Sequence, residues 1–153
     1  MRFATAAAAA LFGAALAAPA PNPDTPPKFD PREKIILQDF QATISGGDKN
    51  VTSIKFNILA KRDTGDKTFT CSGSGYEKLT GPDYPYCQGG GPRYDRFSFR
   101  LRSHPVNKQF DLVVFHQTAD AFGSWGYVTV NACCDAKNVC LKDQTEGELH
   151  FYE

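Results

Sequence analysis

Val51-Thr52-Ser53-Ile54-Lys55-Phe56-Asn57-Ile58-Leu59-Ala60 decides how the chain is read. Ile54, Phe56, Ile58 and Ala60 fall at every second position, with Ser53, Lys55 and Asn57 between them. A period of two is the pattern of a strand with one face in a core and the other in solvent. Leu59 alone breaks it. The alternation returns in Tyr94 to Arg102, where Phe97, Phe99 and Leu101 oppose Arg96, Ser98, Arg100 and Arg102. Further strand-like runs lie at Lys34 to Phe40, Thr68 to Cys71, Phe110 to Gln117, Trp125 to Val130 and Glu148 to Tyr152. Turn signals such as Gly46-Gly47-Asp48 and Asp63-Thr64-Gly65-Asp66 punctuate them. No stretch carries helical periodicity. The pattern predicts an all-β fold, an antiparallel β-barrel or sandwich of about seven to eight strands, disulfide-stabilised.

Upstream of the strands the composition changes twice. Met1-Arg2-Phe3 is a short basic start, Ala4 to Leu16 is a run of Ala, Leu, Phe, Gly and Thr, and Ala15-Leu16-Ala17 is a small-x-small cleavage pattern. The apolar run is about 13 residues against the about 20 a membrane span needs, so residues 1–17 read as a secretion signal rather than an anchor. Six of the ten prolines then fall between Pro19 and Pro31, marking residues 18–31 as a proline-rich leader. Residues 32–153 remain as one domain, and the mature chain of about 135 residues is long enough for a genuine core. The predicted location is extracellular. A formal net charge of +0 gives no electrostatic case for nucleic acid or an anionic membrane.

In an oxidising compartment the five cysteines are expected to be mostly disulfide-bonded. The odd count leaves one thiol free or paired with another chain. Proximity favours Cys71 with Cys87, and Cys140 with one of the adjacent Cys133 and Cys134, Cys134 preferred. A zinc site from Cys133, Cys134, Cys140 and a histidine is disfavoured, because adjacent cysteines are poor co-ligands and the spacing fits no usual finger. No metal, and no cofactor of any kind, is expected.

Nothing in the chain builds a catalytic centre. None of the three histidines lies near a nucleophile elbow or a zinc-binding motif. His116 continues the face of Phe110, Leu112 and Val114 and reads as a core or rim histidine, with Asp111 on the opposite face. Gly89-Gly90-Gly91 is followed by a strand rather than a helix and reads as a flexible loop, not a phosphate cradle. Arg96, Arg100 and Arg102 share a strand face and form a positive stripe, read either as a solvated face paired with acids across the sheet or as a docking face for an acidic partner. The stretch from Tyr76 to Tyr94 holds four tyrosines and is either a contact surface or a plug for one end of a barrel. Asn50-Val51-Thr52 is a possible glycosylation sequon at Asn50.

Taken together, Ser53-Ile54-Lys55-Phe56-Asn57-Ile58, Thr68-Phe69-Thr70-Cys71, Tyr86-Cys87, Phe97-Ser98-Phe99, Val114-Phe115-His116-Gln117, Trp125-Gly126 and the closing cysteine cluster resemble the secreted fungal proteins related to the major allergen of Alternaria. The resemblance runs from about Lys34 onward. It implies a compact, non-enzymatic β-barrel, with Cys71–Cys87 and Cys134–Cys140 as its two bridges. It also implies an effector or allergen-like role, binding a host extracellular protein of plant defence, or alternatively carrying a small aromatic ligand in a barrel cavity. The family cysteine near the mature N-terminus has no counterpart before Cys71. Any dimer therefore forms without that cysteine, and Cys133 is an additional thiol.

Overall fold

The computed structural model describes residues 32–45, 50–62, 65–91 and 94–152. The signal and leader at 1–31, the Gly46-Gly47-Asp48 turn, and Asp63, Thr64 and Arg93 lie outside them. The described chain is almost entirely β. Eight strands run β1 Arg32–Ile44, β2 Val51–Ala60, β3 Lys67–Ser74, β4 Arg96–Leu101, β5 Gln109–Ala119, β6 Phe122–Asn131, β7 Cys133–Cys134 and β8 Val139–Tyr152. They pair antiparallel in the order β3-β2-β1-β8-β6-β5-β4, with β7 on β8, as a nearly closed barrel.

The alternation of β2 is realised as read: Ile54, Phe56, Ile58 and Ala60 are buried. Leu59, the residue that breaks it, pairs with Ile36 of β1 on the outer face. β1 is longer than its apolar run because a bulge sits between Gln38 and Gln41. There Asp39 adopts φ 54° and accepts a 3.1 Å hydrogen bond from Asn57 Nδ2. The extra residue resets the period, so Ile35, Leu37, Phe40 and Ala42 all point inward.

Edges β3 and β4 do not pair directly. Between them runs the segment Pro85–Gln88. Thr70 and Gln88 exchange backbone bonds of 2.9 and 2.7 Å on one side, and Cys87 N and Phe99 N donate to Phe97 O and Pro85 O on the other. The Cys71–Cys87 disulfide fastens this segment to β3. The loop it closes also contains α1, Tyr76–Thr80. Five residues are too few to display a helical period, which is why none was read there. Leu79 of α1 is fully buried, and Gly73 of β3 is bare opposite it: a Cβ there would come within 2.7 Å of Leu79 Cδ2. Leu79 is therefore the side chain that this loop buries fully in the core, with Tyr76 packed partly against it.

Phe40, Phe56, Phe69, Phe97, Phe99 and Phe110 fill the interior. Their ring centroids lie 4.6–6.2 Å apart in tilted and edge-on pairs, the geometry that aromatic quadrupoles favour. The second bridge, Cys134–Cys140, clamps the β7–β8 hairpin, while Cys133 is free and exposed. Asp135 Oδ1 accepts from the backbone N–H groups of Lys137 and Val139 at 2.9 Å and shapes that turn.

Because the two bridges close loops of 16 and 6 residues, Cys71→Ser with Cys87→Ser should lower unfolding stability by about 3 kcal/mol, and Cys134→Ser with Cys140→Ser by about 2 kcal/mol. Chemical denaturation of the oxidised variants measures both; a greater loss at the hairpin would contradict the role given to the barrel seam.

Candidate functional site on the outer face of the barrel

β4 presents Phe97, Phe99 and Leu101 to the core, so Arg96, Ser98 and Arg100 point outward, with Arg102 just beyond the strand end. Antiparallel pairing sets Gln117 opposite Arg96, Phe115 opposite Ser98 and Val113 opposite Arg100. None of these neighbours is acidic. Among the described residues the three arginines form no ion pair; Asp111, the nearest strand carboxylate, instead accepts from Thr129 Oγ1 at 2.7 Å and Gln109 Nε2 at 3.2 Å.

Each guanidinium rests over a tyrosine ring. Arg96 lies 5.7 Å from the Tyr86 centroid, Arg100 5.4 Å from Tyr84 and Arg102 4.9 Å from Tyr127. Tyr84 also packs on Phe115 at 4.6 Å. Two of the loop tyrosines therefore belong to the outer surface. Tyr86 is 63% exposed, and with Tyr84, Phe115 and Phe122 it lines a depression of about 240 Å³. Tyr76 packs partly against the core and stacks on His104, and Tyr94 donates to Asp120 Oδ2 at 2.9 Å. The arginine stripe was legible from its spacing. Its pairing with Tyr84, Tyr86 and Tyr127 was not, because those rings arrive from a loop and from a strand two positions across the sheet.

The triple glycine is built into the barrel rather than standing off it. A Cβ on Gly89, Gly90 or Gly91 would approach the carbonyl oxygens of Thr68, Asp95 and Tyr94 to 2.9, 2.4 and 2.7 Å. The run lets the backbone turn tightly from the seam into β4. Asn50 stands half-buried just before β2, its Oδ1 buried without a hydrogen-bond partner among the described residues, while Thr52 Oγ1 donates to Thr43 O at 3.1 Å.

At one end of the barrel interior a second polar group collects six residues, four from strands β1, β3, β5 and β6 and two, Arg62 and Asp95, from the segments after β2 and before β4. His116 is 5% exposed and stacks flat on Phe97 at 4.1 Å. Its Nδ1 lies 2.7 Å from Glu33 Oε2 and its Nε2 3.2 Å from Asp95 Oδ1. Ser124 Oγ donates to Glu33 at 2.8 Å, Lys67 Nζ donates to Asp95 at 2.6 Å, and Arg62 also pairs with Asp95. Burial opposes ionisation of Asp95, but hydrogen bonds from Arg62, Lys67 and His116 outweigh it and hold the carboxyl well below the usual range. The same hydrogen bond to Asp95 raises Arg62. Ser124 is fully buried and bonded to Glu33 rather than to His116. Glu33, Arg62, Lys67 and Asp95 are dispersed from β1 to the start of β4, and no local motif announces them.

The family model described as Alternaria alternata allergen 1 matches residues 37–148, from within β1 to near the end of β8. The chain belongs to this family. No curated protein and no solved structure matches it. The allergen-family segment contains both disulfides, the arginine–tyrosine face and His116, whereas Glu33 lies just before it.

Since Asp95 has a folded-state pKa below its unfolded value of about 3.9, its contribution to stability is fully present above that value and is lost progressively as the pH falls below it toward the folded-state pKa. Urea denaturation from pH 7 to pH 2 should show this loss and Asp95→Asn should flatten it. His116→Ala, which leaves Glu33 and Asp95 facing a gap, should cost about 3 kcal/mol at neutral pH; an unchanged midpoint would show that the cluster does not hold the barrel end.

Proposed function

We propose that this allergen-family protein is a secreted, non-enzymatic binding protein whose arginine–tyrosine face docks on an acidic surface of a host extracellular protein. One observation carries the reading: Arg96, Arg100 and Arg102 have no carboxylate partner among the described residues, yet each is held over an aromatic ring. An ordered guanidinium loses little freedom on binding and presents a planar fork suited to carboxylates. Arginine and tyrosine are also the side chains that most often dominate binding energy at interfaces. Two disulfides and the leader sequence support export. The alternative of a ligand carried inside the barrel has less support, because six fully buried phenylalanines occupy that space.

The test is capture of plant extracellular proteins by the oxidised chain, beside its Arg96→Glu, Arg100→Glu, Arg102→Glu variant. A partner held by the parent, eluted by salt and lost by the variant at unchanged melting temperature is the expected outcome. Equal capture by both chains would remove this face from consideration.

A further inference from the structure

β6 and β8 pair over only three positions, Gly123 to Trp125 against Tyr152 to His150, and then part. Where they part the backbones press together: a Cβ on Gly126 would lie 2.2 Å from Glu148 O, and one on Gly147 2.5 Å from Val128 Cγ2. On the outer surface over this parting lies a trough, with Gly126 and Gly147 among its lining. It consists of two depressions, about 530 Å³ and about 510 Å³, that share Tyr127 and Glu148.

Trp125 and Tyr127 form a corner at one end, ring centroids 5.3 Å apart and planes at 85°. Tyr127 is 52% exposed. His150 stands directly across from Trp125 in the β6–β8 register. Toward the other end the walls carry Lys34 and Lys61 together with Glu146. An anionic ligand would meet Glu146, and a cationic one would meet Lys34, Lys61 and the Arg102 guanidinium on Tyr127. The lining therefore suits an uncharged molecule with many hydroxyls and an apolar ring face. Lys34, Lys61, His150 and Glu146 supply donors and acceptors for the hydroxyls, and the perpendicular Trp125–Tyr127 corner offers one ring as platform and the other as wall.

We propose that this trough binds a neutral polysaccharide of linked hexose rings. The site is separate from Arg96 and Arg100 and stands whether or not that face binds a protein. Trp125 is the only tryptophan in the chain, so its emission reports directly on the site. The oxidised chain is titrated with cellohexaose and with the N-acetylglucosamine hexamer, followed by fluorescence and by calorimetry. The expected result is a saturable emission change with at least one of them. Tyr127→Ala should weaken it about tenfold, and His150→Ala should weaken it measurably, both at unchanged melting temperature. Arg96→Glu with Arg100→Glu should leave it intact. Absence of any emission change or heat with both hexamers overturns the proposal. So does binding that both trough variants retain, or binding confined to polygalacturonate or to a phenolic such as catechin.

Discussion

A rolled sheet whose edge strands fail to meet leaves two rows of backbone groups unsatisfied, and here β3 and β4 are those edges. The segment Pro85–Gln88 fills the gap as a surrogate strand, and Cys71–Cys87 makes its position covalent. Other contacts cross the same seam. Phe69 of β3 packs on Phe97 of β4 at 4.6 Å, and Lys67 of β3 reaches Asp95 at the approach to β4 at 2.6 Å. Hydrogen bonds, a disulfide, an aromatic pair and an ion pair thus act along one line. The phenylalanine core stays closed to water only while that line holds.

How much of this was legible in the sequence differs by element. β2 and β4 announce themselves because each has one wet and one dry face, so composition alternates with geometry. β1 obscures itself: Ile35-Ile36-Leu37 and Phe40 obey no single period until the bulge at Asp39 is known. The bridges Cys71–Cys87 and Cys134–Cys140 follow chain proximity. α1 has too few residues for a pattern, and its one buried side chain, Leu79, looks like any loop leucine. The ionic cluster was illegible for another reason. Glu33, Asp95 and His116 are brought together by barrel closure, and closure has no local code.

Interior and exterior are chemically divided. Inside, rings pack on rings and the polar residues at one end satisfy one another, which specifies the barrel but offers nothing to a partner. Outside, Arg96 and Arg100 of β4 and Trp125 and Tyr127 of β6 lie on strands that the core already holds rigid, whereas Tyr84 and Tyr86 arrive from the loop. Side chains fixed on such strands keep their positions with little reorganisation.

β8 has a consequence for the order of events in folding. β1, β2 and β3 follow one another as neighbours in sequence and in space, as do β4, β5 and β6. Each set is a meander that local contacts can form early. Opposite the seam β8 joins them, pairing with β1 along one side and β6 along the other, at separations that run to more than a hundred residues. Contacts of that range are slow to form. A chain emerging from its N-terminal end therefore holds two half-sheets with exposed apolar faces until the last strand arrives. The barrel is latched only when this last strand has paired on both sides.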